Sequence, residues 1–331
     1  MTRVFLADEA SPVVTRYKNI GDIDFSVRLL LTCTGSARSR ARIMARACDA
    51  LQPQSLFVDS GAFVLRSAFY KHGKLPSVSE AEEIIRNHLG SCVWLVEHKY
   101  PLEAVAELDL PDIYGEDINE RWREKYFYPF QEQTGVPVVL AVHGSVKWEA
   151  VIENPRLKYL GMSAAMNKKT IAASYGSYEG YVKFMRNIAE ICYLAGVKFH
   201  GYAVTRSSLL RRVPYYSCDS VTWQQALHFG GAMAFDESSG NLVRVDAGKS
   251  LVKNKGAKKL AMNIVKIQSH GSRLRPLDVI GREKIKGRPR ADHHAIFHDQ
   301  ARVFSQMETY FTKFWKLKGF DWEQQLEDHG R

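Results

Sequence analysis

Phe57-Val58-Asp59-Ser60-Gly61-Ala62-Phe63 is the stretch on which the reading of the chain turns. Two apolar residues carry a carboxylate to the end of a short strand, and Ser60-Gly61 turns the chain before a second apolar pair. A carboxylate at that position stands on a rim, where side chains do chemistry. A second one arrives 160 residues later in similar company, in Tyr215-Tyr216-Ser217-Cys218-Asp219-Ser220-Val221-Thr222-Trp223. Two rim aspartates on separate strands suggest one reaction centre.

Outward from these two points the chain alternates short apolar runs with helical stretches. Val4 to Ala7 reads as a first short strand and Val27 to Thr32 as a second, followed by a helix over Ser36 to Leu51 and the strand that delivers Asp59. Arg66 to Lys74 is aromatic and basic and reads as a mobile segment over the site. Ser77-Val78-Ser79-Glu80 fits a capping box, with helix to Gly90. Cys92 to Tyr100 is read as a second helix, so that the strand ending at Asp109 comes next, before Pro111. Val136 to Val142 is fully apolar, as in a strand buried on both faces, and ends in His143-Gly144. Strands follow at Leu157 to Met162, Val197 to Thr205, Tyr216 to Asp219 and Gly231 to Phe235, with an amphipathic helix at Tyr178 to Ala195 stopped by Gly196. Eight strand candidates from Val27 onward, alternating with helices, predict an α/β fold, a (β/α)8 TIM barrel. No GxGxxG, P-loop or internal repeat competes with that reading.

The expected organisation is a barrel core at 1–241, a basic insertion or extension at 242–290, and a terminal helical segment at 291–331 packing on the barrel, its helix at about Ala295 to Leu317. The chain is 45% hydrophobic and 25% charged, which excludes a disordered chain and permits a large core. Its apolar runs are too short for a membrane span, and no signal peptide is read, so a cytoplasmic protein with no membrane partner is expected. The net charge of +10 is local: residues 249–290 hold 13 basic and two acidic residues, leaving the remainder close to neutral. Such a concentration points to a polyanion. Five dispersed cysteines with no CxxC exclude a disulfide framework and a Cys-rich zinc site, and His293, His294 and His298 without a Cys read as polar helix surface, so no metal is expected.

Val58 to Phe63 resembles the Asp-Ser-Gly-Gly-Phe segment of the queuine/archaeosine tRNA-guanine transglycosylase superfamily, and Ser217 to Val221 falls where that family keeps its second aspartate. The shorter phage relatives, which exchange guanine for a 7-deazaguanine in DNA, are more similar. Their Gly, Val-Thr, leucine-rich turn, Pro-Tyr-Tyr-Ser, Asp-Ser and Trp pattern resembles His200 to Thr205 followed by Pro214 to Trp223. The resemblance covers roughly residues 50 to 235. It departs from the tRNA enzymes in lacking their zinc-binding Cys set.

What the resemblance implies is a pentosyltransferase that replaces guanine in DNA by a preQ0-like base. Breaking an N-glycosidic bond builds positive charge on the sugar, and a carboxylate beside C1′ can stabilise or capture it. Asp219 is the expected nucleophile and Asp59 the general acid/base. The resemblance places a base-reading aspartate at Asp109, which as a residue near Pro111 is equally a helix cap. His143, beside Gly144, stands where tRNA enzymes have Gln. Ser60, Gly61, Ser163 and Gly201 are expected to give rim contacts, and Tyr202 to stack on the base. The backbone of a flipped-out or single-stranded substrate would then lie on Lys253, Lys255, Lys258, Lys259, Arg273, Arg275, Arg282, Lys284, Lys286, Arg288 and Arg290. The expected partners are DNA, with tRNA second, and the 7-deazaguanine as co-substrate, with no cofactor. A non-catalytic nucleic-acid-binding subunit is the rival reading, and pairing into a homodimer stays open.

Overall fold

The computed structural model describes residues 2–9, 27–73, 75–142, 153–163, 168–220, 231–246, 268–269, 283–285, 288–290 and 293–330. Eight parallel strands close into a barrel, each paired with the next in chain order and the eighth with the first. They are β1 (Arg3–Glu9), β2 (Arg28–Thr32), β3 (Ser55–Asp59), β4 (Leu102–Ala106), β5 (Val138–Ala141), β6 (Tyr159–Ser163), β7 (Lys198–Tyr202) and β8 (Ser217–Ser220). Around them lie α1 (Ala37–Leu51), α2 (Ala62–His72), α3 (Val78–Glu97), α4 (Pro111–Tyr114), α5 (Glu116–Trp122), α6 (Tyr128–Thr134), α7 (Lys168–Tyr175), α8 (Tyr178–Leu194) and α9 (Ser207–Leu210). The predicted (β/α)8 TIM barrel is therefore the fold. Because all strands run the same way, every strand C-terminus opens on one mouth.

The barrel is assembled from a different eight than the sequence suggests. Arg3–Glu9 is a barrel strand, pairing Phe5 with Asp219 and Leu6 with Leu29. Gly231–Asp236 (β9) is outside the barrel and pairs antiparallel with Asn241–Asp246 (β10). The expected boundary at 242 falls inside this hairpin. Gln300 fastens β9, accepting from the Met233 N–H at 3.2 Å and donating to its carbonyl at 3.1 Å. Two further short strands, β11 (Glu283–Ile285) and β12 (Arg288–Arg290), form a second antiparallel pair.

Two helices also differ from expectation. Helix α3 runs straight through Gly90 as one helix to Glu97, and a Cβ at Gly90 would stand 3.2 Å from the Ala37 Cβ of α1. Close approach of the two helices, and not a helix end, accounts for that glycine. The segment read as mobile is helix α2, started by Gly61 at φ +83° and tied to the next rim by Arg66, whose guanidinium lies 2.8 Å from Asp112 and 3.2 Å from the Asp109 carbonyl.

The lower end of the barrel is closed by the terminal helices α10 (His293–Lys316) and α11 (Trp322–Asp328). Glu308 of α10 accepts from the Val4 N–H at 2.9 Å and from Arg28 Nε at 3.0 Å. Arg28 also donates to Ser55 at 2.9 Å, and Glu103 pairs with Arg3. Trp315 and Trp322 donate their indole N–H groups to the carbonyls of Leu210 and Pro214. The terminal helical segment thus packs on the barrel.

Candidate active site

Side chains two apart on a strand share a face, and this alternation builds the mouth. Phe57 and Asp59 point inward from β3, Ser217 and Asp219 from β8, and His200 and Tyr202 from β7. Below the rim, Phe5, Phe57, Tyr159 and His200 fill the barrel, with the His200 ring 5.0 Å from that of Phe57. The acids sit on top of this aromatic plug.

Asp59 is placed by register. Thr32 is its partner on β2, and the Thr32 hydroxyl donates to Asp59 Oδ2 at 2.8 Å, with the Gly61 N–H at 3.3 Å. Burial raises the Asp59 carboxyl above its ordinary range; the Thr32 hydrogen bond opposes this and the charge of Asp219 adds to it. The two aspartates therefore feel each other's charge across the mouth.

Asp219 is held on one oxygen only. Its Oδ1 accepts from the Ala203 N–H at 3.0 Å and from His200 Nε2 at 3.2 Å. Ala203 has φ 59°, a left-handed conformation that costs a non-glycine residue about 1–2 kcal/mol and is kept where the surroundings demand it. Here it turns an N–H onto the carboxylate. Behind it, His200 Nδ1 lies 2.6 Å from Ser217 Oγ, which in turn contacts the Tyr159 hydroxyl. With Nε2–H donating to the aspartate, Nδ1 accepts from Ser217, and Ser217 accepts from Tyr159; the chain fixes one tautomer. Asp219 Oδ2 has no hydrogen-bond partner among the described residues.

Tyr202 lies within reach of the charges of both acids. Burial holds its phenol well above the usual range, and Asp59, Asp219, Glu107 and Asp109 each push it further up. Room for the ring comes from β6: a Cβ on Gly161 would lie 3.1 Å from Tyr202 Cζ, closer still to Cε2, and 2.8 Å from Val139 Cγ1.

Just beyond β4, Glu107 is gripped by Arg123 at 2.7 and 2.8 Å and by the Ala141 N–H at 2.6 Å. Arg123 opens a π-helical turn, Arg123–Phe127, of the kind that often marks functional positions. Asp109 accepts from Asn119 Nδ2 at 3.1 Å and lies 3.8 Å from Arg66. It is not the helix cap: that position belongs to Leu110, which makes no side-chain cap bond.

Beneath Asp59 is a buried cation. Arg40 of α1 donates to His88 Nδ1 at 2.9 Å, and His88 Nε2 lies 2.9 Å from the Ala106 carbonyl. Burial, then the Arg40 charge, lower His88 to about 3, so it is neutral and donates to Ala106. Arg40 in turn feels the charge of Asp59.

Of the expected site residues, Asp59, Ser60, Gly61, Asp109, Asp219 and Tyr202 gather at the mouth, Ser60 accepting from the Ala62 N–H at 3.4 Å. Ser163 ends β6 in an exposed position. Gly201 does not join them. It is paired with Met162 and Cys218 inside the sheet, and a Cβ on it would run into Val204 and Tyr215, so it faces the helix layer. His143, Gly144, Lys253, Lys255, Lys258, Lys259, Arg273, Arg275, Arg282 and Lys286 lie outside the described residues, and Lys284, Arg288 and Arg290 fall on β11 and β12. His200, Ser217, Tyr159, Thr32, Arg40, His88, Glu107, Arg123 and Asn119 were not singled out as site residues. The period-2 step between His200 and Tyr202 was the one available signal.

The five cysteines are buried, four on separate elements and Cys33 just after β2, and among the described residues no group of three or more His, Cys, Asp or Glu could hold a metal ion. A Cys-rich zinc site of the tRNA-enzyme type does not fit them. No helix of the described residues is long and apolar enough to cross a membrane. No protein-family model and no curated protein matches this sequence.

Proposed function

We propose that the chain is a DNA guanine transglycosylase that exchanges guanine for a 7-deazaguanine such as preQ0. The observation that carries the reading is the electrostatic coupling of Asp59 and Asp219 at one barrel mouth, the two in different hydrogen-bonding environments. Paired carboxyls in different hydrogen-bonding surroundings suit different roles.

In this reading Asp219 Oδ2 attacks C1′ of the deoxyribose as the C1′–N9 bond breaks. His200 and the Ala203 N–H hold Oδ1, so the carboxylate is aimed before substrate arrives. Asp59, whose raised proton affinity favours the acid form, gives its proton to the departing guanine. The incoming base then loses its N9 proton to Asp59 and attacks C1′, expelling Asp219 and restoring both groups. Asp109 and Asn119 are the polar pair offered to the base edge, and Tyr202 is the ring beneath it. A duplex substrate has to flip its nucleotide out to reach this depth.

The test is incorporation of labelled preQ0 into DNA by the purified protein, run beside tRNA. Label in DNA that is lost in Asp219→Asn supports the proposal. Activity retained by that variant removes Asp219 as nucleophile, and label in tRNA alone moves the reading to the RNA enzymes.

A further inference from the structure

Helix α1 carries four arginines at 38, 40, 42 and 46, and the fold uses them in two ways. Arg40 is buried against His88. Arg38, Arg42 and Arg46 lie on the opposite, exposed face at i, i+4 and i+8, one above another along the helix. None of the three makes an ion pair or hydrogen bond among the described residues, although acidic residues are plentiful elsewhere on the surface and Arg66, Arg123, Arg156, Arg186 and Arg212 are all paired. The first turn of α1 has no acidic residue. Like charges four apart repel, so the arrangement opposes helix stability and is not explained by the fold.

The stripe has a shape as well as a charge. Arg38, Arg42 and Arg46 line a hollow of about 380 Å³ together with Ser36, Ser39 and Ile43. Ser36 also lines a second hollow of about 740 Å³, which reaches Leu65 and Ala68 of α2 and Pro76 beyond it, and whose far wall carries the carboxylates Glu80 and Glu83 of α3. Helix α1 starts five residues after Thr32, the residue bonded to Asp59, so the top of the stripe adjoins the mouth. On α2, Phe63 and Tyr70 are 77% and 67% exposed, on the face turned away from Leu65 and Ala68, and the Tyr70 hydroxyl donates to Asp112 at 3.0 Å.

From these features we infer that the α1 stripe is a track for the phosphates of a DNA strand, leading it along α2 into the barrel mouth. Successive arginines rise by about 6 Å, a step comparable to one nucleotide of extended backbone. Arginine is the side chain that forks onto phosphate oxygens, and exposed aromatic rings accept unstacked bases without regard to sequence. The choice of DNA over RNA rests on the proposed function; the assignment of a phosphate track does not. The stripe is distant in sequence from the basic residues 249–290.

The experiment measures binding, not base exchange. A fluorescently labelled single-stranded DNA of about twenty nucleotides is titrated with the full chain by anisotropy at several salt concentrations. Three lost phosphate contacts should flatten the slope of log K against log salt by about 2 in the triple variant Arg38→Gln, Arg42→Gln, Arg46→Gln. The matching triple lysine variant, which keeps the charge, should keep most of the slope and shows that the helix tolerates change there; circular dichroism of both checks folding. An unchanged slope and affinity in the folded glutamine variant overturns the proposal; tighter binding of an RNA strand of the same sequence, with the slope effect intact, supports the track and overturns the choice of DNA. Absence of preQ0 incorporation by the wild-type chain, with the slope effect intact, would count against the enzyme reading alone.

Discussion

Gly161→Ala is the substitution for which the structure gives the most direct forecast. The added Cβ would meet Val139 Cγ1 at 2.8 Å and Tyr202 Cζ at 3.1 Å, with Cε2 nearer still. Packed carbons sit at about 3.5–4.0 Å, so the overlap must be relieved by movement. The Tyr202 ring has little freedom, with the His200 ring edge-on at 4.5 Å and Phe57 at 6.3 Å. Overpacking of this kind costs about 1–3 kcal/mol, and alanine in place of glycine in a strand returns about 0.5–1 kcal/mol. A net loss of about 1–2 kcal/mol lowers the melting temperature by about 2–6 °C. Calorimetry measures this, and the cycle with Tyr202→Leu tests the cause: removing the ring should restore part of the loss, with Val139 retaining the rest, so the two changes should couple by at least about 0.5 kcal/mol. Melting at or above the wild-type temperature, or additive effects in the cycle, would refute the argument that Gly161 exists to seat Tyr202.

His200→Phe keeps a ring in the barrel but removes the hydrogen bond that aims Asp219; at about 1.5–3 kcal/mol for a bond to a charged group, preQ0 incorporation should fall about 10- to 100-fold with DNA affinity unchanged. Equal loss in both would mark His200 as structural only. Asp59 binds its proton more tightly in the folded chain than in the unfolded one, so its contribution to stability is complete at low pH and fades as pH rises through the raised folded value. From about pH 4 upward, the urea midpoint of the wild type should therefore decline relative to Asp59→Asn, and a constant difference would contradict the assignment. Glu308→Ala strips the buried Arg28 of its nearest carboxylate, leaving Glu103 at 3.7 Å, and should cost about 3 kcal/mol in urea unfolding, at the low end for breaking a buried pair. A loss below about 1 kcal/mol would show that the floor of the barrel does not depend on α10.

The barrel was legible because strand and helix patterns alternate, yet the membership of two strands was not. In a parallel barrel every strand is a short apolar run, so Val4 to Ala7 and Gly231 to Phe235 look alike until pairing is known. Only the contact of β1 with β8, more than 200 residues apart, decides between them. Asp59, Asp109 and Asp219 could be found because a carboxylate ending an apolar run is unusual. His200 could not, since its meaning comes from its register partner Ser217 and from the aspartate two residues further along β8. Arg40 is indistinguishable by type from the arginines on either side of it. Packing against His88, remote in sequence, gives it a different task.

The order of the strands has a consequence for synthesis. β1 finds β2 as soon as both have left the ribosome, but its other edge waits for β8, and its floor for Glu308. At about 5–20 residues per second, the roughly 210 residues between β1 and β8 keep that edge uncovered for about 10–40 s. An unpaired strand edge invites foreign strands. Nascent chains of this protein should therefore be most vulnerable to aggregation, and most dependent on chaperones, until the last barrel strand and the helix behind it have emerged.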